Sequence, residues 1–273
     1  MLGRLLSRIN ESGFWRQPVC VWGAKLLPPT LDRWVALKAH SLGLMGVDEM
    51  CFLRTVVPEA GVVADVGANQ GLYTVFLSKL ISKGRVLAFE PDPVLFTSLQ
   101  ENVQRNCIQN VSLFNFAVAS GTATLSLAPG AFNRGDNRIV AKAEINRRAT
   151  TVQAVTLDDM IPDLRLDLLK IDVQGYEQEV LRGAQKVLQA NPGLLILVEF
   201  WPYGLELAGG KPQEPLQLLK THGFSLYELG KNLTCIPFQF RPEEWSNQNR
   251  YCNLVATRDF RLLAERGIKA RPG

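Results

Sequence analysis

The stretch Val62-Val63-Ala64-Asp65-Val66-Gly67-Ala68-Asn69-Gln70-Gly71-Leu72-Tyr73-Thr74 constrains the fold of this chain more than any other. It opens as a short, valine-rich apolar run, the pattern of a parallel strand covered on both faces. It breaks at Gly67 and Gly71. Beyond Gly71, Leu72, Val75, Phe76 and Leu80 recur at helical spacing, with Lys79 and Lys83 off that face. Strand, glycine turn and helix form the first half of a βαβ unit. Such units bind ligands at the carboxyl ends of their strands.

The residues of the turn have separate physical roles. Gly67 lets the chain leave the strand sharply, with no Cβ between backbone and ligand. Gly71 lets the helix start close to that ligand. Asn69 tolerates a left-handed turn. Asp65, near the strand end, offers a carboxylate to loop amides or to a ligand ammonium. The loop reads G-A-N-Q-G, which departs from the G-x-G-x-x-G of dinucleotide sites, and no Walker Lys-Ser/Thr pair follows. A cofactor without phosphate, S-adenosylmethionine, suits this turn better than a nicotinamide. A plain connecting turn is the alternative reading of the loop taken alone.

The rest of the chain alternates strands and helices. Val86 to Phe89 reads as a second strand ending in Glu90, which lies 19 residues beyond Gly71. That is where βαβ nucleotide sites place the acid for the ribose hydroxyls. Pro91 and Pro93 suit the start of a helix. Val111 to Ala119 reads as a third strand, with Thr122 to Leu127 as its hairpin partner. Leu164 to Asp172 is the fourth strand and Gly175 to Leu188 its helix. Leu194 to Phe200 is a fifth, almost wholly apolar strand, and Phe224 to Leu229 and Asn253 to Thr257 supply two late ones. This alternation argues for a doubly wound α/β sheet. Residues 1 to about 60 read as helical, with Leu2, Leu5, Leu6 and Ile9 on one face, and are expected to cover one side of the cofactor pocket.

Several motifs then fall in sequential order: Asp65-Val66-Gly67-Ala68-Asn69-x-Gly71, Phe89-Glu90-Pro91, Thr156-Leu157-Asp158-Asp159, and Leu169-Lys170-Ile171-Asp172-Val173-Gln174-Gly175-Tyr176-Glu177. Together they resemble the FkbM-type methyltransferase family, from about Gly61 to Thr257. The resemblance implies a mostly parallel seven-stranded sheet of the class I methyltransferase type with an N-terminal helical extension. It divides the chain into an extension over 1–60, a Rossmann-like domain over 61–260 and a basic tail over 261–273. It implies S-adenosylmethionine as cofactor and a hydroxyl-bearing small molecule, saccharide or lipid as acceptor. It sets Ala117 near the adenine. Gln174 stands where the family commonly has Glu, a departure that bears on any carboxylate role there.

Methyl transfer from a sulfonium is an in-line displacement, so the protein contributes alignment and a dry pocket. A hydroxyl acceptor also needs a base. Lys170 and Asp172 are two apart and share one face of a strand. Asp172, at the carboxyl end, is the candidate base or acceptor-orienting group, with Lys170 in an orienting or charge-balancing role. Glu177, on the first turn of the next helix, and Glu199, at the neighbouring strand end, can converge on the same acceptor. A buried Lys–carboxylate network that fixes strand ends is the competing reading. The cofactor residues are then Asp65, Gly67, Asn69, Gly71, Glu90 and Ala117. No metal is expected: Asp158 and Asp159 lack a His or third acid to complete a shell. His40 and His222 are isolated.

Composition narrows the remaining classes. The 273 residues carry 30 basic and 26 acidic side chains, a net charge of +4, which makes no general case for nucleic acid. Arg134, Arg138, Lys142, Arg147 and Arg148 crowd one irregular stretch, either a recognition loop or a solvated one. The five cysteines form no C-x-x-C pair, which argues against zinc and for a reducing compartment. No apolar run approaches bilayer length, so a cytoplasmic protein is expected, with peripheral membrane contact open. Two rivals follow. One is a non-catalytic cofactor-binding module that engages a partner through the basic loop. The other is a nicotinamide oxidoreductase, which the loop spacing disfavours.

Overall fold

The computed structural model describes residues 18–27, 46–130, 136–140, 149–161, 165–245 and 247–270. Its strands are β1 (Val19–Val21), β2 (Ala24–Leu26), β3 (Val62–Val66), β4 (Arg85–Phe89), β5 (Val111–Phe114), β6 (Ala117–Val118), β7 (Ala123–Ala128), β8 (Arg138–Val140), β9 (Thr150–Val155), β10 (Leu168–Ile171), β11 (Leu195–Phe200), β12 (Ser225–Gly230), β13 (Thr234–Pro237), β14 (Cys252–Thr257) and β15 (Lys269–Ala270). The helices are α1 (Val47–Val56), α2 (Leu72–Leu80), α3 (Pro93–Arg105), α4 (Leu157–Met160), α5 (Glu177–Arg182), α6 (Gln185–Ala190), α7 (Pro202–Leu207), α8 (Gln213–Thr221) and α9 (Arg261–Glu265).

The main sheet runs β15-β13-β12-β14-β11-β10-β3-β4-β5. Strands β5, β4, β3, β10 and β11 are parallel, and β14 enters antiparallel between β11 and β12. These seven strands form the expected doubly wound α/β sheet. Two short strands, β13 and β15, extend it at one edge. The stretch beyond 261, expected as a basic tail, supplies α9 and the edge strand β15 instead. Leu263 and Ile268 anchor it in the core, at 0% and 3% exposure.

Both faces of the sheet are covered, which is why its strands read as apolar runs. Ala64, Val66, Phe89, Ile171, Ile196 and Val198 belong to one core. Val63, Val86, Leu168, Leu195 and Leu197, the alternating set, belong to another, with Phe52, Phe76 and Val255. Burying one such side chain contributes roughly 1.5–3 kcal/mol. Phe89 stacks on Phe114 across two strands, with centroids 4.8 Å apart.

Three expectations change. The leading region, read as helical, holds the hairpin β1–β2 before helix α1. Trp22 and Gly23 turn it at φ 51° and 78°, the positive pair of a tight hairpin. Residues 1–17 and 28–45, with the Leu2-Leu5-Leu6-Ile9 face and His40, lie outside the described residues. The hairpin packs on α2 and α3, where Leu27 N donates to Asn102 Oδ1 and Lys79 Nζ to Gly23 O.

The third strand is split as well. Beyond Phe114 the chain leaves the main sheet and enters a separate four-stranded one, ordered β6-β9-β7-β8. Strand β7 is therefore not a hairpin partner of β6; both pair with β9. The helix read over 175–188 is two short helices, α5 and α6, joined at Gly183, where a Cβ would lie 1.9 Å from Ala119 O. Thr156 does cap α4, its hydroxyl accepting from Asp159 N at 3.0 Å, a bond that contributes about 1 kcal/mol.

Candidate functional site

Strand register assembles the site. Val66 pairs with Phe89 on one side and with Ile171 on the other, and Ile171 pairs with Val198. The next residues, Glu90, Gly67, Asp172 and Glu199, therefore stand in a row along the carboxyl edge. The strand order reverses between β3 and its neighbours, the position where open α/β sheets bind ligands.

The turn after β3 is held by β4. Gly67 N and Ala68 N both donate to Phe89 O, at 3.0 and 2.9 Å. Gly67, Asn69 and Gly71 take φ of 84°, 53° and 93°. Gly67 has a second constraint, because a Cβ there would fall 1.9 Å from Asp172 O. Glu90 ties the turn together: Oε2 accepts from Asn69 N at 2.8 Å and Oε1 from Asp92 N at 2.9 Å. Burial pushes the Glu90 carboxyl up to about 8, against the lowering effect of those two amides. Each of its oxygens keeps a second lone pair.

A cavity of about 240 Å³ opens there. Gly67, Asn69, Glu90, Ala117, Asp172 and Gln174 line it, facing an apolar wall of Phe89, Leu95, Phe116, Val118, Leu127 and Ile139. The four-stranded sheet supplies Val118, Leu127 and Ile139 of that wall, while Phe89 comes from β4 and Leu95 from α3. Asn137 anchors this sheet, donating to Asp92 Oδ2 at 2.5 Å and accepting from Gly130 N. No described residue of 18–27 or 46–60 lines the cavity, so the expected N-terminal cover is not found among the described residues.

Asp65, Gly71, Lys170, Glu177 and Glu199 do not line it. Asp65 is fully buried and accepts from Thr74 Oγ1 at 2.6 Å. Gly71 starts α2 against Leu99, whose Cδ1 would lie 2.6 Å from a Cβ. Lys170 Nζ lies 3.5 Å from Asp65 Oδ1, 3.4 Å from Asp172 Oδ2 and 4.4 Å from the Tyr73 ring centroid. Burial lowers its pKa, but Asp172 and Asp65 outweigh burial and the net shift is upward, so the ammonium keeps its proton. That geometry suits charge balance rather than a base.

Gln174 joins the acids. Its Nε2 donates to Asp172 Oδ1 at 3.1 Å and to Glu199 Oε2 at 2.7 Å. Burial, with Asp172 and Glu177 nearby, pushes Glu199 well above the usual carboxylate range. Glu177 is 1% exposed and accepts from Gly175 N at 2.9 Å. Burial pushes it up to about 7. Glu199 and Asp172 are thus brought together, while Glu177 is turned toward its own backbone.

Sequence reasoning missed Phe116, Leu127, Asn137, Ile139 and Tyr176 as lining residues. Leu127 and Ile139 reach the cavity through β7–β8 pairing, and Phe116 and Asn137 stand just before β6 and β8, placements that leave no local signal. Asp92 had one, standing just before Pro93 as a helix cap, and it accepts from Val94 N at 2.7 Å. Of the basic stretch, Arg134, Lys142, Arg147 and Arg148 lie outside the described residues, and Arg138 lies in β8. Asp158 caps α6, accepting from Lys186 N and Val187 N, and the described residues hold no metal-ligand cluster. His222 Nε2 meets Gln185 Oε1 at 2.8 Å.

This strand order, with a glycine turn and an acid at adjacent strand ends, is the architecture of a class I, Rossmann-like methyltransferase. Residues 65–226 match the methyltransferase FkbM domain, and the chain belongs to that family. It is 28% identical over 211 residues to Methyltransferase sdnD of Sordaria araneosa, covering 64% of this chain and 78% of that one. It is 27% identical over 178 residues to the hexuronic acid methyltransferase AglP of Haloferax volcanii, covering 63% and 67%. Its match to Methyltransferase 1 of Beauveria bassiana, 26% over 156 residues, spans 50% of this chain and 63% of that relative's length. No helix among the described residues is long and apolar enough to cross a membrane.

Proposed function

We propose that this chain transfers the methyl group of S-adenosylmethionine to a hydroxyl oxygen of a small-molecule, saccharide or lipid acceptor. The observation that carries the reading is that Gly67, Glu90 and Asp172, from three separate strand ends, line one cavity. The cavity suits the cofactor in two halves. Its apolar wall accommodates a base, with Ala117 beside it. Glu90 has lone pairs left for a pair of ribose hydroxyls, and the turn at Gly67 and Asn69 offers a surface without bulky side chains. When bound, the cofactor supplies a methyl already activated on a sulfonium.

The chain's own residues then position the acceptor and exclude water. Asp172, held by Lys170 and Gln174, orients the acceptor hydroxyl and takes its proton as the oxygen attacks. A positioned base of this kind contributes about 10²–10⁴ in rate. Glu199, behind Gln174, fixes the amide that fixes Asp172. The relative named for hexuronic acid keeps a saccharide among the acceptors.

Calorimetry with S-adenosylhomocysteine tests the cofactor, in the wild type and in Glu90→Ala. A methyl gain on an acceptor from host extract, dependent on added S-adenosylmethionine, tests the transfer. Absence of S-adenosylhomocysteine binding by the folded wild type overturns the reading.

A further inference from the structure

Gln174 holds an unusual position. Its backbone is left-handed, at φ 54°, just before Gly175 at φ 101°. A Cβ on Gly175 would fall 2.2 Å from Gly204 O, so helix α7 braces the turn from behind. The side chain spans two strand ends, with Nε2 bonded to Asp172 Oδ1 and Glu199 Oε2 at once. A primary amide has two N–H donors, so both are consumed.

The amide is thereby fixed in direction. Turning it over would set its carbonyl oxygen against Asp172 Oδ1, acceptor against acceptor. Its Oε1 is left over: no described residue donates to it, and Gln174 lines the cavity beside Asp172. Lys170 occupies the other oxygen of Asp172, at 3.4 Å. Both residues line the cavity, and what their mutual bonding leaves over at this edge is a carbonyl oxygen and carboxylate lone pairs, all hydrogen-bond acceptors.

We propose that Gln174 Oε1 and Asp172 form an acceptor-only edge beside the methyl-donating end of the cofactor site, which selects methyl acceptors carrying a proton on the attacking atom. This rests on the cofactor reading given above and specifies its substrate class: a hydroxyl, or a neutral amine that still bears an N–H, and not a bare tertiary nitrogen or a thioether. An acid at position 174 adds a third carboxylate to Asp172 and Glu199, whereas the neutral amide joins them and still presents an acceptor.

Sinefungin and S-adenosylhomocysteine are the probes. Sinefungin carries an ammonium-bearing carbon where the cofactor has its sulfonium, so it donates hydrogen bonds at the reacting position and S-adenosylhomocysteine does not. Both are titrated by calorimetry into the wild type, Gln174→Met and Gln174→Glu. The preference for sinefungin over S-adenosylhomocysteine should fall about tenfold in Gln174→Met, which loses one hydrogen bond to a charged group. It should rise in Gln174→Glu. A merely structural role weakens both ligands together and leaves the ratio unmoved. A ratio within about twofold of wild type in both variants overturns the inference while leaving the cofactor reading intact. Failure of the wild type to bind S-adenosylhomocysteine overturns both. Should Gln174→Met not fold, the direction of the ratio in Gln174→Glu decides by itself.

Discussion

The backbone N–H of Asn69 donates to Glu90 Oε2 at 2.8 Å, joining the turn after one strand to the acid after the next. The bond spans 21 residues of sequence. It makes Glu90 both part of the cavity lining and the tether of the loop that shapes the cavity.

Glu90→Gln should therefore injure the loop and not only remove a ligand contact. Both carboxylate oxygens accept from backbone amides, so a side-chain NH₂ must oppose one of them. Leaving a buried donor unpaired costs about 1–3 kcal/mol. The expected result is a lower Tm together with weaker S-adenosylhomocysteine binding by calorimetry. A normal Tm with lost binding would show that the tether contributes little.

Stability should depend on pH in an unusual direction for acids. Burial raises Glu90 to about 8 and Glu177 to about 7, both above the unfolded value near 4.3. The folded state thus holds protons that the unfolded state has released. The associated stability is fully present below the unfolded pKa and is lost as pH rises through about 7 and 8. Tm measured without ligand should fall between about pH 4 and pH 8 and level off above that. Glu177→Gln, which keeps the acceptor for Gly175 N, should flatten that decline by roughly 3 kcal/mol of unfolding free energy. An unchanged slope would refute the assignment.

Gly67→Ala should be among the most damaging single-methyl additions. The new Cβ would meet Asp172 O at 1.9 Å, from a backbone at φ 84°. The nearest atoms are the carbonyl oxygen and carbon of Asp172, backbone that cannot swing aside, and a loss above about 3 kcal/mol follows. Gly193→Ala is the matched control, since nothing lies within 4 Å of its Cβ. Its Tm should stay near wild type in the same thermal melt.

Lys170→Met should leave Asp65 and Asp172 without their shared cation. Lys170 is 4% exposed and Asp65 is fully buried, so breaking the pair costs about 3–5 kcal/mol. Adding Asp65→Asn should recover a large part of it, as a double-mutant cycle in urea measures. Additive losses would mean that the two groups do not interact.

Asp172→Asn should separate binding from transfer. Calorimetry with S-adenosylhomocysteine should still detect a complex. Methyl incorporation into host extract should drop by about 10²–10⁴. Full incorporation by the variant would move the base elsewhere, with Glu199 the next candidate.

The parts of the fold legible in the sequence were those written in local patterns. The valine run, Gly67, Gly71 and the helical spacing after them gave β3, its turn and α2. The apolar run over 195–200 gave a buried strand, and the pair 170 and 172 gave a shared face. The leading hairpin was not legible, because strands of three residues are too short to show a period. Neither was the departure of the chain after Phe114, since β6 and β9 pair across a separation no local pattern reports.

By itself the sequence determined the order of strands and helices, the glycine turn and the kinds of charged group at the strand ends. Those follow from backbone freedom and side-chain periodicity, which act over a few residues. Only the tertiary structure decided which acids meet. Strand register set Glu90, Gly67, Asp172 and Glu199 in one row, while helix and turn geometry drew Glu177 back to its own backbone. It also decided that Asp65 is buried under Lys170 and that a second sheet supplies part of the cavity wall. Contacts between residues distant in the chain depend on how whole strands align, and a run of letters carries that information only jointly.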